Sequence, residues 1–189
     1  GIKGKAQFNA IQPIRVITIE NWWAAAWWGN VDRGWATPET TYKFNFIEFA
    51  HSDYQKSQLA TRSVYDDDPR TIQVWADAYK AGGNNAVNTM IVNQLSEFFP
   101  DATISKSQIT KTHYQDWPDG WHWLKSGSSF SNADIAVWAL KPLNAENVSL
   151  VGEAYNPNRS SWSDGAYKSS INTLNQNFGL GLECASVVP

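Results

Sequence analysis

Val151-Gly152-Glu153-Ala154-Tyr155-Asn156-Pro157-Asn158-Arg159-Ser160-Ser161-Trp162-Ser163-Asp164-Gly165-Ala166-Tyr167-Lys168-Ser169-Ser170 is the stretch from which the fold is read. Residues 148–154 form a β-rich run that predicts a buried strand, and Asn156-Pro157-Asn158 predicts a turn after it. A helix follows over 161–177. Ser160 or Ser161 serves as its N-cap, and Asp164 lies in the first turn, where a carboxylate suits the positive end of the dipole. Ala166, Tyr167, Ile171 and Leu174 recur at helical spacing until Gly179 ends the run. A strand that delivers a helix N-terminus is a general device for holding an anionic or electron-rich group.

Outward from this stretch, the composition sets bounds. A chain of 189 residues with 42% hydrophobic and 17% charged residues predicts one globular domain, 1–189, with a substantial core. Eleven tryptophans are a surplus, and each buried indole needs a partner for its N–H, so some are expected to line a pocket or an interface. The net charge of −3, without a Lys/Arg cluster, argues against nucleic acid or an anionic membrane as partner. Cys184 is the single cysteine, which excludes an intrachain disulfide and a cysteine-rich metal site. No apolar run approaches transmembrane length, and Gly1 opens without a signal-peptide pattern, so a soluble chain in mature or processed form is expected. Localisation beyond that is open. The sequons Asn147-Val148-Ser149 and Asn158-Arg159-Ser160 permit glycosylation.

Strands are predicted over 14–19, 42–49, 59–65, 107–113 and 133–140 besides 148–154, and helices over 69–81 and 85–99 besides 161–177. Trp22, Trp23, Trp27 and Trp28 surround three alanines; they read as a short buried helix or loop on the sheet, or alternatively as an aromatic wall for a ligand. Asp67 or Asp68 before Pro69 predicts an N-cap with proline at the first helical position. The Asp66-Asp67-Asp68 run could instead ligate a hard cation, Mg²⁺ or Ca²⁺, with Asp66 and Asp68 as the candidates. Asp116 to Leu124 carries Trp117, Trp121 and Trp123 around a turn predicted at Pro118-Gly120, and such aromatic loops commonly shape binding sites. His51, His113 and His122 are the three histidines and form no metal-ligand spacing. No nucleophile-elbow motif accompanies the serines.

The C-terminal stretch resembles the signature of the flavin-dependent amine oxidases, and of L-amino acid oxidases in particular. Gly152, Glu153, Ala154, Trp162, Gly165, Ala166 and Ser169 carry the match, while Ser161 stands where the family usually has Gly. Ser63-Val64-Tyr65-Asp66-Asp67, Phe98-Phe99-Pro100 and the segment from His113 to Gly120 follow the family's order, so the resemblance runs from Ile14 to Phe178. It implies an α+β fold, a mixed β-sheet with helices like the substrate-binding half of an amine oxidase. It also implies that Glu153 faces the cofactor's ribityl region, that the helix N-terminus meets the ring system and that Trp162 walls the substrate pocket.

The Gly-x-Gly-x-x-Gly turn that cradles the FAD pyrophosphate is absent, and Gly179-Leu180-Gly181-Leu182 follows a helix and lacks the third glycine. An autonomous oxidase therefore has no electron acceptor, which argues against an enzyme. Two readings follow. One is a non-enzymatic protein whose aromatic pocket holds a planar, indole-like chromophore; in size and tryptophan content it is similar to the stand-alone pink pigment proteins of mushrooms. The other is one processed chain of an FAD-dependent L-amino acid oxidase whose dinucleotide-binding part lies on another chain. The ligand site is expected where the last helix begins, from Trp162, Gly165 and Ala166, facing Trp121 and Trp123, with Glu153 and Tyr155 at its polar edge. The expected partner is a small molecule, and a homodimer is allowed.

Overall fold

A computed structural model describes residues 1–28, 46–49, 60–158 and 162–183. In chain order its elements are helix α1 (Ala6–Asn9), strands β1 (Ile11–Trp23), β2 (Phe46–Phe49) and β3 (Ala60–Asp66), helix α2 (Ile72–Phe98), strand β4 (Ile109–Leu124) and helices α3 (Asn132–Leu140) and α4 (Trp162–Phe178). The class is α+β. The sheet has the order β2-β3-β1-β4, and both pairings made by β3 are antiparallel. Residues 15–118 form one compact unit, and residues 1–14 with 119–189 form another. Residues 42–45, Leu59, His51, Cys184 and the serine caps expected at Ser160 or Ser161 lie outside the described residues, as does part of the second sequon.

The 15–118 unit holds the main core. Ile17, Ile19, Asn21 and Trp23 alternate along β1 with every second side chain inward, and all four are buried. Ile17 and Ile19 pack with Val64, Ile72, Trp75, Val87, Ile91 and Leu95. Trp22 and Trp23 belong to the strand, which corrects the helix or loop expected there. Trp27 and Trp28 lie in the turn that follows; Trp28 is a core residue and Trp27 packs against the core, edge-on to both Trp23 and Trp28. Trp23 and Trp28 thus belong to the core and Trp27 packs against it, as the reading of a buried segment on the sheet expects. The Trp23 indole N–H donates to Thr61 Oγ1 at 2.9 Å, which satisfies the buried donor, and Thr61 in turn bonds Ser63.

The helices expected over 69–81 and 85–99 are both present, as the two helical runs of α2 on either side of a non-helical break at Gly82-Gly83. Gly82 (φ −156°) and Gly83 (φ 57°, ψ −148°) break the helical geometry, and only glycine adopts the second conformation without strain. A Cβ at Gly82 would stand 2.9 Å from Ala86 Cβ. The first helical residue is Ile72 after Thr71, not Pro69. Asp68 instead accepts the Arg70 amide and Asp66 accepts the Asp68 amide, so the acidic run closes the turn that precedes the helix.

Three further expectations are corrected. Residues 133–140 are helical, because Ser131 and Asp134 form a reciprocal capping box and Ile135, Ala136 and Ala139 bury one helical face. The Ile135-Ala136-Val137-Trp138 run reads as a strand by propensity, yet Val137 is exposed. Residues 148–154 make no strand. The Leu150 amide bonds the Ala139 carbonyl and the Ser149 hydroxyl bonds the Leu140 carbonyl, so their polar groups satisfy the end of α3 instead of a sheet. At Pro118-Gly120 there is no turn, since β4 runs through to Leu124 and carries Trp117, Trp121 and Trp123 on a strand.

Candidate functional site

In the unit formed by 1–14 and 119–189, three segments converge on one carboxylate. Gly152 has φ 146°, a conformation open to glycine, and turns the chain into the 3₁₀ turn Glu153–Tyr155. The Gly152 amide donates to Ser169 Oγ at 2.8 Å, and Ser169 donates on to the Ala166 carbonyl, so the turn is fixed to the middle of α4. A Cβ on Gly152 would meet the Tyr155 ring at 3.7 Å. From this base Glu153 reaches two strand and helix amides. Its Oε1 accepts the His122 amide of β4 at 2.9 Å, and its Oε2 accepts the Trp162 amide at the start of α4 at 2.6 Å.

This is helix capping from a distance. The first amide of α4 meets a carboxylate nine residues earlier in the chain, where negative charge also complements the dipole. Asp164 lies in the first turn, as expected, and also pairs with Lys168 at 2.7 Å. Trp162 itself has φ 75°, a left-handed conformation that costs a non-glycine residue about 1–2 kcal/mol. Strained backbone of this kind gathers where the surrounding structure holds a side chain in place.

Around the carboxylate lie the aromatics. Trp121 and Trp123 meet edge to face, ring centroids 5.4 Å apart at 87°. Trp123 is 37% exposed and Trp162 is 55% exposed. The indole nitrogen of Trp121 is buried and has no hydrogen-bond partner among the described residues. Burial raises the Tyr155 phenol above its ordinary pKa. His122 Nδ1 stands 3.9 Å from Glu153 Oε1, at the surface. Gly165 is buried within α4 and Ala166 is half-buried.

The expected residues therefore gather in part. Glu153, Trp162 and the 121–123 segment are tied together by hydrogen bonds, Tyr155 belongs to the same turn as Glu153, and Gly165 and Ala166 follow Trp162 in the first turns of α4. Each Glu153 oxygen already accepts a backbone amide, so its first role is positional. Two further residues contribute that were not among the expected ligand residues: His122, through its backbone amide, and Ser169, through its hydroxyl. Ser169 was legible as part of the C-terminal match, whereas an amide partner leaves no mark in sequence. A cavity of about 310 Å³ lies elsewhere in this unit, lined by Leu140, Lys141, Glu146, Val148, Asn177 and Phe178 among others, and contains none of the expected ligand residues.

Asp66 and Asp68 belong to the other unit and serve the turn before α2. Asp66 is 1% exposed; its Oδ1 accepts the Asp68 amide and the Thr71 hydroxyl. Burial raises its pKa, against those two hydrogen bonds, which lower it. Asp68 pairs with Arg70. Among the described residues no group of three or more His, Cys, Asp or Glu side chains is placed to hold a metal ion. Among the same residues no helix is long and apolar enough to cross a membrane. Neither the protein-family models nor the curated proteins searched contain a match to this chain.

Proposed function

We propose that this chain is a non-enzymatic binding protein for a small planar aromatic molecule, an indole-like chromophore, held beside the N-terminus of α4. The observation that carries the reading is the Glu153 clamp, which holds the backbone of the partly exposed Trp162 at the start of α4 and, through the His122 amide, the strand segment that carries the Trp121–Trp123 pair. An aromatic ligand stacking on such rings gains about 0.5–1.5 kcal/mol per pair beyond burial of area. The indole N–H of Trp121 offers a donor to a polar atom on the ligand's edge. The amine-oxidase resemblance supports the same junction, since that family is expected to place its ring system there.

A second reading is that the chain is one part of an FAD-dependent L-amino acid oxidase completed by another chain. It draws on α4, which buries Gly165, Ser169 and Thr173 while exposing Trp162, Tyr167, Leu174 and Phe178. Large side chains outward and small ones inward are what a helix shows when a further surface covers it.

The absorption spectrum of the purified chain separates these readings. Visible absorption without flavin bands, weakened or shifted by Trp162→Ala, is the expected result for the chromophore carrier. Flavin bands support the oxidase chain. A colourless protein that binds no indole-like probe in a fluorescence titration overturns the first reading.

A further inference from the structure

Tyr79 of α2 and Tyr114 of β4 stack face to face, ring centroids 3.8 Å apart and planes within 5° of parallel. Both rings belong to the 15–118 unit. Tyr79 is 39% exposed, so small oxidants reach the pair. The surroundings keep the rings in register. Arg15 makes a bidentate pair with Asp116 at 2.9 and 2.6 Å, and its other nitrogen donates to Gln73 Oε1 at 3.0 Å. Asp116 is two residues beyond Tyr114 and so lies on the same face of β4. Gln73 precedes Tyr79 on α2 and bonds Asp77 at 2.8 Å, so one arginine anchors both the strand and the helix that carry the rings.

We propose that Tyr79 and Tyr114 are the site of an intramolecular dityrosine cross-link, formed under one-electron oxidation by a peroxide-driven oxidant. Each phenol loses one electron and one proton to give a phenoxyl radical. The two radicals couple through the ring carbons ortho to oxygen, making one C–C bond. The two ring hydrogens at those carbons then move to the phenol oxygens as the rings become aromatic again. The protein loses two hydrogen atoms in total, and one hydrogen peroxide accepts the two electrons and two protons to become two waters. Stacking supplies the proximity that free tyrosyl radicals reach only by diffusion, so coupling within the pair outruns coupling between molecules. Burial, reinforced by Asp116, pushes the Tyr114 pKa up to about 12, so at neutral pH its proton leaves with the electron rather than before it.

The test uses dilute, intact protein with hydrogen peroxide and a haem peroxidase. The expected product is a monomer with dityrosine fluorescence, lighter by two hydrogens, whose digest contains a peptide linking positions 79 and 114. Tyr79→Phe and Tyr114→Phe each keep a stackable ring and fold alike by circular dichroism, and each abolishes that peptide. Tyr167→Phe, at an exposed position on α4, leaves it unchanged. The proposal is overturned if the parent yields no 79–114 peptide, or if the intramolecular cross-link survives in either stack variant.

Discussion

Glu153→Ala removes the carboxylate that joins β4, the 3₁₀ turn and α4, and its cost follows from two hydrogen bonds of 2.9 and 2.6 Å to backbone amides. A bond to a charged group contributes about 1.5–3 kcal/mol when sheltered. Both amides lie near the surface, where water replaces part of what is lost, so about 1 kcal/mol each is the appropriate scale. Loss of negative charge at the start of α4 adds about 0.3–1 kcal/mol. Against this, the φ of 75° at Trp162 no longer has to be held, and relaxation returns up to about 1 kcal/mol. The expected net loss is about 1–3 kcal/mol. Glu153→Gln keeps one acceptor oxygen but turns its NH₂ toward the other amide, so it falls between the parent and Ala. Urea midpoints followed by far-UV circular dichroism, compared at equal slope, measure the difference. A Glu153→Ala protein within about 0.5 kcal/mol of the parent, the range of ordinary surface substitutions, refutes the clamp. A Gln variant less stable than Ala refutes it equally, because the oxygen would then contribute nothing.

Trp75→Ala is expected to cost about 3–5 kcal/mol in the same urea assay, since the ring is fully buried in the main core, while any visible absorption of the folded fraction stays as in the parent. Asp66→Asn tests a pH dependence. The folded pKa of Asp66 stands above 3.8, so the fold gains stability from its proton below 3.8 and loses that gain as pH rises through the folded value. The stability of Asp66→Asn relative to the parent should therefore climb across that window, and a flat or falling difference in urea midpoints over a pH series contradicts the burial argument.

What could be read from sequence, and what could not, follows from where each segment's hydrogen bonds go. The alternation Ile17, Ile19 in β1 and the apolar spacing Val87, Ile91, Leu95 in α2 identify buried faces directly, because periodicity and burial coincide there. The Gly82-Gly83 pair marks the break between two helical runs, and both residues are non-helical there. Segment 133–140 went astray because Ile, Val and Trp favour strands by composition, while the deciding signal was the Ser131–Asp134 box two residues upstream. Segment 148–154 went astray for the opposite reason. Its β-like residues find no strand neighbour, and their amides and hydroxyls close the end of α3. Within the candidate site, Glu153 and Trp162 were legible as a pair from the C-terminal match. The reason they meet, a carboxylate capping a distant helix, depends on three-dimensional return of the chain.

Helix α4 shows most clearly how a pattern can be right about structure and wrong about facing. Tyr167 and Leu174 recur at helical spacing and predict an inward stripe, yet they are 53% and 37% exposed. The inward stripe is Gly165, Ser169 and Thr173, residues four apart that scarcely register as apolar. Small side chains let the 3₁₀ turn approach the helix closely enough for the Gly152 amide to reach Ser169 at 2.8 Å. A larger residue at 165 or 169 would hold the turn away and carry Glu153 with it. The helix is therefore seated by polar contacts at close range, and Trp162, Tyr167 and Phe178 stand exposed. Trp162 is exposed at the helix start while its backbone amide is bonded by Glu153. An exposed residue whose backbone amide is held by Glu153 is the basis of the proposed ring stacking, and the same logic explains why the clamp, rather than Trp162 alone, would set the geometry of the proposed site.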